Sequence, residues 1–483
     1  MTVIRPNSIS GVSSITGSGG DISIFRADGT AADVVVNNIT SGVITATTFK
    51  GAVEGDVTGS GANLTSIPAG QLTGTVADAR LSTVSSSKLS GALPALDGSA
   101  LTGVGVGTAD SINTSGIITA TAFVSSQGAL SNRNKIINGD FIIHQRGGTI
   151  ASSSGNYTID RWRTYRAGDS SGGWSVQQSL ASYPQTNIAG VIDNFKASAF
   201  ITVTSAGSAA ANNNNKFQQR IEGSNVYDLA FGTVAAKKVT VSFYVKCSLT
   251  GDFGVALVNG DHNRSNVQLY TINSATTWER KILTFDGDTS GTWYTNSGIG
   301  LQLMFDIGSG SSKHASSTGT WLSGEYHGTT SSVKLVHTNG ATIQFCGVQL
   351  EAGEIATPFE FRSHADELAR CQRYYQVIAD GNQEIISNIF IFQNNRITGC
   401  RPLATAMRTT PSVVDNTSGG TRFRINANSD QNTGNNITVN STVSSPSALS
   451  IGIDSLASNM TNGAGGVVRK QGSSEQLGVQ AEL

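Results

Sequence analysis

All five tryptophans (Trp162, Trp174, Trp278, Trp293, Trp321) and all ten tyrosines, from Tyr157 to Tyr375, fall in one central stretch of this chain. Residues 1–131 hold only Phe25, Phe49 and Phe123 as aromatics, and beyond Tyr375 only Phe390, Phe392 and Phe423 follow. Large amphipathic rings dominate core and recognition energetics. The centre can therefore build a conventional core and a recognition surface, while the two flanks need another route to stability.

Charged residues make up 13% of the chain, about half the usual share, and Ser, Thr, Asn and 56 glycines supply the polarity instead. Disorder favours high net charge and few β-branched residues. Here the net charge is −1 and Val, Ile and Thr are abundant, which predicts short strands with frequent turns. No Lys/Arg cluster tracks a nucleic-acid backbone. No run of about 18 apolar residues exists to span a bilayer, and the first residues lack signal-peptide character. The expected partners thus exclude nucleic acid and membrane insertion. Cys247, Cys346, Cys371 and Cys400 are widely separated and read as buried thiols or as two disulfides.

A short segment occurs twice before residue 131. Ser41-Gly-Val-Ile-Thr-Ala-Thr-Thr-Phe49 matches Ser115-Gly-Ile-Ile-Thr-Ala-Thr-Ala-Phe123, and Gly61–Ile67 matches Gly98–Val104 at half that spacing. Such repeats suggest stacked units that bury their faces against neighbours. Ordering the backbone costs about 1–2 kcal/mol per residue, whereas a buried Val or Leu returns only about 1.5–3 kcal/mol. Sparse side chains such as Val43, Ile44, Leu64 and Leu101 do not cover that cost in one copy. The expectation is an intertwined homo-oligomeric shaft over 1–131; the alternative is a flexible Gly/Ser/Thr linker.

Residues 132–362 read as an antiparallel β-sandwich or jelly roll, with alternating strands at 238–245, 253–258, 300–305 and 341–350. Within this stretch, Asn134-Lys-Ile-Ile-Asn-Gly-Asp-Phe-Ile-Ile-His-Gln-Arg-Gly147, Asp160-Arg-Trp162, Val241-Ser-Phe-Tyr-Val-Lys246, Gly347–Gly353, Ala356–Glu360 and Glu367–Tyr375 resemble, in order, the jelly-roll domain of bacteriophage tail fibres. The resemblance covers about half the chain. The amino-terminal repeats resemble the shafts of tail fibres from phages of marine cyanobacteria. Asn138–Phe141 also resembles the first strand of carbohydrate-binding jelly rolls, which often carry a structural calcium. Calcium needs about six oxygen ligands; only Asp140 and Glu351 are nominated, so no cofactor is expected and a turn is the simpler reading of Asn-Gly-Asp.

Sugar recognition uses exposed aromatic faces beside groups that hydrogen-bond hydroxyls. Two segments have that character. The first, 285–296, holds Asp286, Trp293 and Tyr294; the second, 313–327, holds Trp321, Tyr326 and His327. Trp162 and Trp278 are assigned to the core. Gly168-Asp-Ser-Ser-Gly-Gly173 resembles a serine-protease nucleophile loop without its His and Asp context. Asp286 and Asp288 stand too close in sequence for a glycosidase pair, and the six histidines lack metal spacing. No catalytic or metal residue is expected.

Ser363–Gln376 is the one persuasive helix, with Ser363 as cap and His364, Leu368, Cys371 and Tyr375 on one stripe. It packs on the sandwich or forms a three-fold neck. Strands follow at 385–392, 412–414, 421–425, 437–439, 449–453 and 477–479, with an Asn-rich loop at 426–436.

The expected architecture is all-β and homotrimeric: shaft 1–131, jelly roll 132–362, helical neck 363–378 and β-sandwich tip 379–483. The resemblance implies a virion tail fibre, assembled in the host cytoplasm. Its amino terminus would dock to a phage tail or baseplate protein, and it would bind host surface polysaccharide or lipopolysaccharide without catalysis. The alternatives are a tailspike-type polysaccharide depolymerase and a purely structural connector.

Overall fold

The computed structural model describes residues 131–483, apart from 152–153, 169–171, 181–194, 209, 394–395, 416–422, 428–429, 435–437, 440–443, 454–459 and 472–475, together with Asp28 and Thr30. The repeats read between Ser41 and Phe123 lie outside the described residues. The chain divides into two compact units, residues 1–114 and 115–483, and every described strand and helix belongs to the second.

The architecture is almost wholly β, with one α-helix among the described residues. The central region holds β1 (Thr149–Ala151), β2 (Ser154–Tyr157), β3 (Trp162–Ala167), β4 (Gly173–Ser179), β5 (Ser198–Ser205), β6 (Asn214–Glu222), β7 (Val239–Cys247), β8 (Gly251–Val258), β9 (Arg264–Ile272), β10 (Glu279–Phe285), β11 (Ile299–Asp306), β12 (Trp321–Ser323) and β13 (Thr342–Ala352). They form two antiparallel sheets ordered β1-β4-β5-β13-β7-β10 and β12-β9-β8-β11-β6-β3-β2. Alternation along each strand sends one set of side chains inward. Between the sheets the rings interlock: Phe305 of one sheet lies 4.4 Å from Phe345 and 5.1 Å from Phe243 of the other. Trp162 stacks 5.0 Å from Phe217. Trp162 is fully buried, whereas Trp278 is half-buried with the Lys246 ammonium 5.4 Å from its ring.

The Asn138–Phe141 segment closes a corner of this sandwich. The Asn138 amide is fully buried, donating to the carbonyls of Ile143 (2.8 Å) and Asp160 (3.0 Å) while its oxygen accepts from the Ile143 N–H. Trp162 Nε1 donates to the Asn138 carbonyl at 2.9 Å. A Cβ on Gly139 would collide with the Val348 carbonyl of β13, so only glycine lets the segment dock. The motif residues therefore build a corner. Nearby, Arg362 donates to the carbonyls of Ile136 and Asn134 and to the carboxylates of Glu360 and Glu367. A guanidinium thus gathers the oxygens beside Asp140, one of the two residues nominated for calcium. Burial, reinforced by the Glu367 charge, pushes the Asp140 carboxyl up to about 6. Glu351 is engaged elsewhere, accepting from Gln349 (2.8 Å) and from the Thr357 N–H (2.8 Å).

Helix α1 (His364–Gln372) starts where Ser363 accepts from the Asp366 N–H at 3.1 Å. Its buried side chains are Glu367 and Cys371, with His364 exposed, so the inward stripe differs from the expected one. Cys371 and Leu368 pack with Ile137, Ile143 and Tyr374 against the corner segment. Tyr375 opens a strand instead of ending the helix, because β-branched Val377 and Ile378 are taken up by pairing with the last strand of the chain.

The rest of the chain adds β14 (Tyr375–Ala379), β15 (Ile385–Gln393), β16 (Arg396–Pro402), β17 (Ser412–Asp415), β18 (Phe423–Ala427), β19 (Asp430–Gly434), β20 (Thr438–Val439), β21 (Ala448–Ile453), β22 (Gly465–Lys470) and β23 (Leu477–Gln480). These make a three-stranded sheet, β14-β23-β17, and a seven-stranded one, β19-β18-β22-β15-β16-β21-β20. Their core is aliphatic, with Ile389, Ile391, Ile425, Ile451 and Val468 around a single ring, Phe423. The expected Asn-rich loop at 426–436 contains β19, which pairs in register with β18 from Phe423↔Gly434 to Ala427↔Asp430. All four cysteines are free thiols; Cys400 is exposed, contrary to the expectation of burial, because it occupies an outward position of β16.

Arginines join the two β regions, Arg146 and Arg220 by bonds to Glu482 and the Leu483 main-chain oxygen and three more as follows. Arg161 is fully buried, pairs with Glu482, donates to the Arg220 carbonyl and places its Cζ 3.5 Å from the Tyr374 ring centroid. Arg373 grips Glu222 with two bonds of 2.7 and 2.9 Å. Arg408 donates to the carbonyls of Ala481, Glu482 and Ser297. No helix among the described residues is long and apolar enough to cross a membrane.

Candidate functional site

Part of the outer face of the seven-stranded jelly-roll sheet, over β8, β9 and β11, is covered. Ala256, Val258, Val267 and Met304 form an apolar patch there, and Ala315 and Tyr326 pack onto it. Glu325 binds Lys216, Lys313 (2.6 Å) and His262 (3.0 Å) in the same cover, which holds its carboxyl far below the usual range. The exposed chemistry lies instead at one end of the sandwich, on the connections that precede β7 and β11.

There, Phe231, Trp293 and Trp321 meet edge to face. Their centroids are 4.9 Å (Phe231–Trp293), 5.8 Å (Phe231–Trp321) and 5.3 Å (Trp293–Trp321) apart. Such perpendicular pairs satisfy the ring quadrupoles. Each indole N–H is tied down: Trp321 Nε1 donates to the Asp286 carbonyl at 2.8 Å and Trp293 Nε1 to the Ser290 carbonyl at 3.1 Å. The two candidate segments of the sequence are thereby joined at one place.

The loop carrying Trp293 and Tyr294 is fixed from three sides. Asp288 is buried and takes a bidentate grip from Arg264, both bonds 2.7 Å, and also caps the Ser290 N–H. The Asp288 carbonyl accepts from the Gly232 N–H at 2.7 Å. Gly223 and Ser224 N–H groups donate to Gly298 and Asn296, both at 2.9 Å. Gly232 has φ +83°, and a Cβ there would press on the Trp293 ring, so glycine is what lets the two loops meet.

Beside the cluster lies a cavity of about 240 Å³ lined by Tyr227, Phe231, Trp293 and Tyr294, with Val226, Leu229 and Leu301 as its apolar floor. Tyr227 is 66% exposed and Tyr294 39% exposed. Tyr294 donates its hydroxyl to Asp261 at 2.8 Å, and that bond raises the phenol's pKa above its ordinary value. Its ring is thus held in place while its face remains free.

The six sequence candidates separate. Trp293, Tyr294 and Trp321 gather here, and Asp286 contributes its carbonyl while its exposed carboxylate sits 3.5 Å from Lys238. Tyr326 belongs to the cover of the outer sheet face. His327 is fully buried, 3.2 Å from Asn214 Oδ1 and 3.4 Å from Asp306, and burial lowers its pKa; no external ligand reaches it. Sequence reasoning missed Tyr227 and Phe231. Tyr227 opens a short 3-10 turn (Tyr227–Leu229) and Phe231 follows its left-handed cap, Ala230 at φ 55°, which has no local sequence signature.

No protein-family model matches this chain, and no curated protein matches it either. Among solved structures, it is similar to the enzymatically active domain of tailspike protein 4 of bacteriophage CBA120, with 14% identity and a TM-score of 0.25. That match covers 45% of this chain and 21% of the tailspike domain, so the chain spans only about a fifth of that neighbour. A family 4 carbohydrate-binding module is 16% identical, with a TM-score of 0.21 over 44% of this chain and 97% of the module. The tandem family 22 modules of Paenibacillus barcinonensis Xyn10C give 11% identity and a TM-score of 0.20, covering 70% and 98%. No functional reading follows from scores this low; the residues themselves have to carry the chemistry.

Proposed function

We propose that this chain binds a surface glycan without cleaving it, and that the aromatic groove at the end of the jelly roll is where the sugar sits. The observation that carries this is the pair of exposed rings, Tyr227 and Tyr294, on one cavity wall with Trp293. A sugar ring presents apolar C–H faces and hydroxyl edges, so it pairs with an aromatic face and nearby polar groups. Asp261 and the carbonyls of the 286–300 loop supply the latter. No carboxylate among the described residues lines the cavity; of those nearby, Asp288 is neutralised by Arg264, and Asp261, which accepts from Tyr294, has one oxygen left for a hydroxyl. That argues for binding over hydrolysis, which needs two free carboxyl groups across a sugar.

At the level of the particle, the reading is a homotrimeric phage tail fibre. Its amino-terminal region docks to the tail or baseplate, and three copies engage a host polysaccharide or lipopolysaccharide together. Weak single sites then gain avidity through effective concentration. The sequence resemblance supports this level.

The test incubates the full-length protein with host surface polysaccharide, measuring retention and reducing-sugar release. Retention that is lost in Trp293→Ala and Tyr227→Ala, with no sugar released, is the expected result. Release of reducing ends would identify a depolymerase, and retention by both variants would place the glycan elsewhere. Light scattering of the full chain gives the oligomer directly; a monomer would overturn the trimer.

A further inference from the structure

A second cavity, of about 990 Å³, opens where the β1–β3 edge of the jelly roll faces the β14-β23-β17 sheet. Three guanidinium groups reach its wall, those of Arg146, Arg163 and Arg408, against one acidic side chain, Glu482, and the Leu483 main-chain oxygen that Tyr157 and Arg220 hold. The Glu482 carboxylate is already shared between Arg146 (3.0 Å) and Arg161. Arg408 spends its donors on main-chain carbonyls and has no carboxylate within ion-pair distance among the described residues.

Arg163 is the telling member. It donates Nε to the Gly155 carbonyl at 3.2 Å, while its Nη1 is buried without a hydrogen-bond partner. Gly155, at φ +103°, brings its main chain against this guanidinium. Burial, and after it the neighbouring Arg220, lower its pKa. Arg146 has a side chain only 7% exposed, lies flat on Tyr375 with its Cζ 3.8 Å from the ring centroid, and also leaves Nη1 unbonded, 3.8 Å from Asp160. Two guanidiniums on the wall of a polar cavity suit an anion, because planar guanidinium matches carboxylate and phosphate. Thr410 and Gln480 add neutral polar groups suited to hydroxyls.

We propose that this junction cavity binds an acidic saccharide, its carboxylate or phosphate held by Arg163 and Arg146. The site is separate from the aromatic groove and does not depend on it. Calorimetric titration of the full-length chain tests it, with tetragalacturonate and glucose 6-phosphate as acidic probes and cellotetraose as the neutral one. One acidic probe should bind at least about tenfold tighter than cellotetraose and lose about tenfold between roughly 20 mM and 0.5 M salt, as screening requires. Preference for tetragalacturonate assigns the carboxylate, and preference for glucose 6-phosphate the phosphate. Arg163→Gln should weaken that probe about tenfold with an unchanged melting temperature. Thr410→Trp, at an exposed rim position, should obstruct entry independently of any charge change. Equal affinity for acidic and neutral probes, or wild-type binding by both variants, overturns the proposal. So does loss of acidic-probe binding in Trp293→Ala, which would move the anion to the aromatic groove.

Discussion

The jelly roll and the carboxy-terminal sheets are both antiparallel β, yet they use side chains differently. The jelly roll packs stacked Phe and Trp rings between its sheets and leaves Tyr227, Trp293 and Tyr294 on an end groove. The carboxy-terminal sheets close over isoleucines and valines and present only Phe390 (49% exposed) and Phe392 (41%) among their large exposed rings. Neither of those has a polar tip, and the Arg396 guanidinium lies over Phe392. The contrast teaches that a ring serves recognition when its own hydrogen bond fixes it and its face stays open, as for Tyr294. By that criterion the proposed sugar site falls on the jelly roll and not on the carboxy-terminal sheets.

The largest effect that sharpens the contrast is in the cores. Phe305→Ala removes a ring that touches both sheets and should cost about 4 kcal/mol, while Ile425→Ala in the carboxy-terminal core should cost about 3 kcal/mol. Chemical denaturation of each variant measures both; each should shift a single transition by that amount if the two regions unfold together. Arg161→Ala should cost about 3 kcal/mol by leaving Glu482 short of its buried partner. It should also split the thermal transition in two, because Arg161 ties the regions at their seam. A single unchanged calorimetric peak would show that Arg161 is not what couples the two regions.

A smaller effect concerns charge at the same seam. Burial pushes the Asp160 carboxyl up to about 6, with Glu482 adding to the rise and Arg146 and Gln145 opposing it. A folded pKa above the ordinary value of 3.8 means the stability linked to its proton is present at low pH and lost as pH rises through about 6. Asp160→Asn therefore gains on the wild type between pH 5 and pH 8, by about 3 °C in melting temperature. A difference that stays constant across that range would contradict the shift. Smallest is a reactivity difference: Cys400 should react with a thiol reagent in the native protein, and Cys247, Cys346 and Cys371 only on unfolding. Burial raises the Cys247 thiol to about 11, which adds to its protection.

Much of the jelly roll was legible because its strands alternate apolar and polar residues, as in Val239–Cys247; in Thr342–Ala352 the bulge between Cys346 and Gln349 resets the phase of the alternation. Trp293, Tyr294 and Trp321 were legible as aromatics in polar settings. The burial of His327 was not, since Asn214 and Asp306, which face it, come from β6 and β11. Tyr227 hid in a short irregular turn. In the tip, β22 (Gly465–Lys470) opens with two glycines and β19 is Asp-Gln-Asn-Thr-Gly, so local propensity spoke against both. They are strands because their neighbours supply register, an influence that no local window contains.

The central claim is that sugar binding resides in the groove of Tyr227, Trp293 and Tyr294. It is tested most directly by titrating the neutral oligosaccharide that binds the full-length chain best, against a Tyr227→Ala/Tyr294→Ala variant and a Phe390→Ser/Phe392→Ser variant. The prediction is a Kd at least about tenfold higher for the tyrosine variant alone, equivalent to about 1.4 kcal/mol, with its melting temperature unchanged. An unchanged Kd for the tyrosine variant, or a loss that follows Phe390 and Phe392 instead, would contradict it.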